Sequence, residues 1–228
     1  MTHGAQAGFG AGAIFRERRC MILVGQYDSP FVRRVAVTMN VYAMAFERQV
    51  LSVFSDFDAM LAINPLGKVP VLQLDDGERL YDSRAILDCL DGLVPADRRM
   101  VPVDEPDRRN VLRIEAVALG LTEKLYEVIF EFARRDPEKR DPAIVARAER
   151  QIASALTWLE ALQPSPWFYG NSMSRADVAA AIAHTYMKEK RPALLGMHPS
   201  LDRHCARCEA LTPFRQAAYS AAEAQRSA

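Results

Sequence analysis

The sequence predicts an α/β amino-terminal half joined to an all-α carboxy-terminal half, and three observations carry that prediction. Short apolar runs bounded by Gly, Pro, Asp and Ser alternate with amphipathic segments as far as residue 93. No strand-like run follows residue 81. Beyond the Pro-rich, charged stretch at 94–107, apolar residues recur only at three- and four-residue steps.

Taken in order, "MILVG" (21–25) reads as a strand and 30–40 as a helix. Ser29 is placed to cap that helix, and Pro30 fits its first turn, where the missing N–H costs nothing. "AFERQVL" (45–51) is a second strand, and a helical piece around 56–62 leads into "NPLGKVPVLQL" (64–74), whose end is strand-like. "DDGE" (75–78) turns a hairpin into "RLY", and "DSRAILDCLDGL" (82–93) starts on two capping residues and stops at Gly92. A β-α-β half followed by β-β-α is the thioredoxin-like layout. In the second half, Val111, Ile114, Ala118, Leu121, Leu125, Val128 and Phe132 mark one long amphipathic helix. Val145, Ala148, Ile152, Ala155, Leu159 and Leu162 mark another. "DVAAAIAHTYM" (177–187) is small and apolar nearly all round, which predicts a central, buried helix. "MSRAD" (173–177) opens it as a capping box, with Ser174 as N-cap and Asp177 reaching back, a structural assignment with no chemistry. The expected organisation is a flexible extension over 1–20, a thioredoxin-like domain over 21–94, a linker over 95–105 and a helical domain over 106–228.

Composition narrows the function. Lys plus Arg and Asp plus Glu each number 29, so the net charge is zero, against the basic excess of a nucleic-acid binder. The charge divides unevenly: residues 21–104 carry 8 basic and 12 acidic groups, and residues 105–228 carry 18 and 16. No apolar run approaches the roughly 18 residues of a membrane span. The lead over 1–19 lacks the apolar core of a secretory signal, and Cys20, Cys89, Cys205 and Cys208 do not space as a disulfide framework. A cytoplasmic protein is expected.

The chemistry begins at Ser29. In a thioredoxin-like half, the turn after the first strand is where redox members place Cys-x-x-Cys, because the helix end stabilises a thiolate. Here the positions read Ser29-Pro30-Phe31-Val32, so a thiol has to come from outside, and a hydroxyl can lower its pKa by hydrogen bonding. Taken by itself Ser29 reads as a cap alone, a reading that Pro70 and Asp82-Ser83 in order make the lesser one, and Tyr27 is the rival hydroxyl. Val69-Pro70, directly before a strand, is the expected site of a cis bond. Asp82 and Ser83 open a helix end suited to a carboxylate. Tyr126, Phe130 and Phe214 read either as walls of an apolar pocket or as core aromatics. "HCARC" (204–208) lacks the fourth ligand zinc needs and follows no strand, so it reads as ordinary helix, and no metal is expected.

A strand, then S-P-F, N-P-x-G-K-V-P-V-L, [DE]-S-x-A-I and an all-helical half resembles the glutathione S-transferase family, most of all its serine branch. The likeness covers residues 21 to about 215. It implies that Ser29 contacts the sulfur of glutathione, with Phe31 beside it, and that Val69 pairs with the cysteinyl backbone while Pro70 shapes the turn. It also implies that Asp82, in place of the usual Glu, and Ser83 hold the γ-glutamyl group, and that Lys68 lies near the glycyl end. Tyr27, Tyr126, Phe130 and Phe214 would face a small hydrophobic electrophile. A homodimer with the 83–92 helix against the partner's 106–120 region is implied as well. Rival functions on the same fold are a non-catalytic binding or regulatory module, and a glutathione-dependent isomerase, dehalogenase or peroxidase.

Overall fold

A computed structural model describes residues 20–225; the extension expected over 1–20 lies outside them, Cys20 excepted. The first half runs β1 (Met21–Val24), α1 (Pro30–Val41), β2 (Phe46–Gln49), α2 (Phe57–Ile63), β3 (Val71–Gln73), β4 (Arg79–Tyr81) and α3 (Ser83–Gly92). Its four-stranded sheet has the order β2-β1-β3-β4, with β1 parallel to β2 and antiparallel to β3. The second half runs α4 (Asp107–Ala133), α5 (Pro142–Ala161), α6 (Arg175–Lys190), α7 (Pro199–Glu209), α8 (Thr212–Arg215) and α9 (Ala221–Gln225). This is the small α/β domain and helical domain that the periodicities predict.

Helix α6 runs through the middle of the helical half against α4, α7 and α1. Residues 175–183 are all buried, which small side chains permit at close helix spacing. At its start, the Asp177 carboxylate accepts from the Ser174 N–H at 2.7 Å and the Ser174 hydroxyl at 2.8 Å, and from the Phe168 N–H at 2.8 Å. His204 of α7 is fully buried beside it, with Nδ1 3.0 Å from the Pro166 carbonyl and Nε2 3.4 Å from Asp177. Cys208 lies 3.6 Å from the same ring, and burial pushes its thiol up to about 12, so it stays protonated. Among the described residues no group of three or more His, Cys, Asp or Glu could hold a metal ion, and no helix is long and apolar enough to cross a membrane.

The two halves are fastened by a buried ionic network. Glu115 of α4 accepts from Arg34 of α1, and bidentately from Arg175 of α6 at 3.0 Å through both Nε and Nη2. Arg175 also approaches Asp91 of α3 at 3.5 Å, and Asp91 accepts from the Tyr42 hydroxyl at 2.5 Å. Burial raises the Asp91 carboxyl against the pull of Tyr42 and Arg175, and lowers the Arg34 guanidinium to about 10. The stretch read as a linker is drawn into this network. The Met100 N–H donates to the Tyr42 hydroxyl at 2.8 Å, and the Met100 carbonyl accepts from the Arg175 N–H at 3.2 Å. Met100 and Val101 are buried, because two apolar residues among prolines and charges suffice to fold the connection inward.

Replacing Glu115 by Ala leaves two buried guanidinium groups without their shared anion. The expected loss is about 3–5 kcal/mol of unfolding free energy, the cost of breaking a buried pair from one side. Urea denaturation measures it, and a loss under about 1 kcal/mol would mark the network as solvated.

Candidate active site

Strand β1 is followed directly by Gly25, whose φ of +132° side chains rarely adopt. A Cβ there would sit 2.5 Å from Val32 Cγ2 and 3.0 Å from Val69 Cβ. Glycine therefore lets the end of β1, the first turn of α1 and the Val69-Pro70 segment meet at one point. The Val69-Pro70 peptide is cis. Four residues beyond Gly25, Ser29 takes an extended backbone (φ −77°, ψ 120°) and caps α1, with Pro30 at its first turn. Its Oγ accepts from the Val32 N–H at 3.5 Å, the outer limit of a hydrogen bond, so the cap leaves most of the hydroxyl's bonding capacity unused.

The hydroxyl faces a cavity of about 260 Å³ between the halves, walled by Val69 on one side and Tyr126, Phe130, Tyr186 and Lys190 on the other. Tyr126 and Phe130 are one helical turn apart on α4, with ring centroids 5.4 Å apart. Phe31 stacks on Tyr126 at 5.8 Å and Tyr186 lies 5.3 Å from it. Burial pushes the Tyr126 hydroxyl up to about 12, against hydrogen bonds from Tyr186 and Ser29 that favour its ionised form. Tyr186 is raised further, by burial first and by Tyr126 next. Both phenols keep their protons at neutral pH. A larger, more open depression of about 710 Å³ between α4 and α5, lined by Arg147, Arg150 and Trp158, has no comparable hydroxyl cluster.

The loop bearing Ser29 is strapped from outside by α9. Gln26 donates to the Glu223 carbonyl at 2.8 Å, and the Tyr27 N–H to the Glu223 carboxylate at 2.5 Å. Arg48 pairs with that carboxylate at 3.0 Å and holds its guanidinium carbon 3.4 Å over the Tyr27 ring. Tyr27 is thereby buried under Arg48 and is not part of the cavity wall.

Of the residues singled out in the sequence, Ser29, Val69, Tyr126 and Phe130 share the cavity, and Phe31 backs Tyr126. Phe214 does not join them: it is fully buried in the core beneath α1, and the expectation that it faces a pocket is corrected by the packing of α8 on α1. Lys68 is exposed, its carbonyl accepting from Asn64 at 2.8 Å. Asp82 is exposed with φ 67° and ψ 129°, a sparsely populated conformation, held as its carboxylate accepts from the Arg84 N–H at 2.7 Å. Ser83 is buried, and its Oγ accepts from Arg34 at 3.0 Å. Sequence reasoning missed Asp28, Tyr186 and Lys190 in the cavity, and Arg34 behind Ser83. The one signal for Arg34 was a pair of arginines inside an otherwise apolar helix.

An α/β half of thioredoxin-like topology joined to an all-α half, with a capped hydroxyl at the first helix facing the cleft between them, defines the fold class. The chain matches the profile of the glutathione S-transferase N-terminal domain over residues 23–98 and that of the C-terminal domain over 121–212. It is 30% identical over 173 residues to the uncharacterized GST-like protein YibF of Escherichia coli K12, spanning 76% of this chain and 85% of that one. A glutathione S-transferase from Methylobacillus flagellatus, solved with glutathione bound, superposes with a TM-score of 0.81 at 30% identity, covering 88% of this chain and all of the other. A family member from Pseudomonas fluorescens Pf-5, also with bound glutathione, gives a TM-score of 0.78 at 28% identity over 88% of this chain and 99% of its own. The chain belongs to the glutathione S-transferase family.

Asp28, beside Ser29 in the cavity, has its carboxyl raised above the ordinary 3.8 by burial, and next by Glu223, against the pull of Lys190 and of nearby backbone N–H groups. The folded state thus binds that proton more tightly than the unfolded one. Ionising Asp28 costs stability that is absent below the ordinary value and grows as pH rises through the raised one. An Asp28→Asn variant should gain stability relative to the wild type between about pH 4 and neutrality. Urea midpoints across that range check it; a pH-independent difference would contradict the shift.

Proposed function

We propose that the protein is a glutathione transferase in which Ser29 donates a hydrogen bond to the sulfur of bound glutathione and, with the positive end of α1, favours its thiolate. The observation that carries this reading is the placement of Ser29: its hydroxyl lines the cavity with a weak cap bond, while Tyr27 is occupied under Arg48. The main chain of Val69 pairs with the cysteinyl backbone, and Lys68 lies toward the glycyl end. Asp82 and Ser83 receive the γ-glutamyl group at the start of α3. Because Ser83 Oγ already accepts from Arg34, its own proton is left to donate to a carboxylate. The glutathione bound in the solved relatives from M. flagellatus and P. fluorescens supports the ligand.

The thiolate attacks an electrophilic carbon held against Tyr126 and Phe130. A carbon–sulfur bond forms, the leaving group departs with its bonding electrons, and the thiol proton passes to water. The protein contributes orientation and a preorganised donor at the developing charge. The protein works as a homodimer, with α3 against the partner's α4.

Ser29→Ala should cost only about 0.5 kcal/mol of stability, the low end for a lost cap. It should lower turnover of 1-chloro-2,4-dinitrobenzene about a hundredfold, as for a removed oxyanion donor. The thiolate absorbance of bound glutathione against pH is the decisive measurement. An unchanged apparent thiol pKa would reduce Ser29 to a cap, and Tyr27→Phe should leave that pKa where it is.

A further inference from the structure

The far end of the cavity carries charge that the proposed thiol chemistry does not use. Lys190, the last residue of α6, is half-buried on the wall. Among the described residues its ammonium makes no hydrogen bond and no ion pair within 4 Å. It lies 5.9 Å from the Tyr219 ring and within the field of Asp28. Arg134, at the end of α4, lies on the same cavity with its guanidinium carbon 4.0 Å over the ring of Phe54. Phe54 meets Phe130 edge-on at 6.2 Å, so the cation on this lip is seated on the aromatic wall itself. The charged lining residues are Asp28, Arg134 and Lys190.

A neutral aromatic ligand entering this space strips water from the Lys190 ammonium and offers nothing in exchange, an uncompensated desolvation. A ligand with one negative charge on its ring supplies the missing acceptor while the ring stacks on Tyr126 and Phe130. The aromatic face beside Ser29 is the Tyr126–Phe130 pair, with ring centroids 5.4 Å apart, which matches one ring better than a fused system. We propose that the second substrate of this enzyme is a single-ring aromatic electrophile bearing a carboxylate or equivalent anion, and that Lys190 is the residue that selects for it. This rests on the glutathione reading of the site.

The test titrates glutathione, S-benzylglutathione and S-(4-carboxybenzyl)glutathione into the wild type and Lys190→Met by calorimetry, with Lys190→Gln as a second variant should the Met form fold poorly. The wild type should bind the carboxybenzyl ligand about tenfold tighter than the benzyl ligand, the scale of one hydrogen bond to a charged group. In the Lys190 variants that ratio should fall to about one. Equal binding of the two ligands by the wild type overturns the inference while leaving the glutathione site standing. So does a Lys190 variant that loses affinity for glutathione itself by the same factor, since the cation then serves the tripeptide. Failure of all three ligands to bind overturns the glutathione reading and the inference with it.

Discussion

The Glu115 carboxylate is the constraint on which the rest of the molecule depends. Two guanidinium groups from different halves of the chain converge on it inside the protein, and neither has water to fall back on. Each ion of the cluster is tolerable only while the others stay in place. The cluster therefore fixes α1, α3, α4 and α6 relative to one another more sharply than apolar contact alone would. Arg34 remains imperfectly matched: its Nε has no partner, the one such buried side-chain atom found among the described residues. The same guanidinium steadies Ser83, so the fastening between the halves and the start of α3 are one piece of chemistry.

The cleft inherits its shape from that fastening. Ser29 and Val69 come from the α/β side, where Gly25 allows three segments to converge, while Tyr126 and Tyr186 come from helices that the ionic cluster pins. The side chains of Tyr186, Tyr126 and Ser29 thereby line one cavity across the boundary between the halves. Neither half holds this arrangement alone. A hydroxyl facing a cleft can orient a ligand only if the opposing wall stands at a fixed distance, and the buried charges supply that rigidity.

How much of this could be read from the sequence follows from how local each signal is. Ser29-Pro30, Asp82-Ser83 and the Ser174/Asp177 pair announce helix starts because the capping partner lies two or three residues away. The central position of α6 is legible because its small side chains leave no polar face for water. Arg33 and Arg34 stand out in sequence as a pair of charges inside an apolar helix, but their partners Glu209 and Glu115 lie far along the chain and are not legible from it. Phe214 misleads, since an aromatic near the end of the chain carries no mark that separates a pocket wall from a core residue. Lys190 ends a helix where a cation is expected for the dipole alone, so only the fold reveals the cavity beside it.

The α9 strap has a practical side. Five residues near the end of the described chain hold the loop before Ser29 through Glu223 and the groups it meets on Gln26, Tyr27 and Arg48. Anything fused just downstream of residue 225 begins within one helical turn of that fastening. Ala224 of the same helix lines the cavity, so the strap is both a fastening for the loop and a part of the cleft wall. Where the protein is tethered to a surface or joined to another domain thus becomes part of the design of any assay on it.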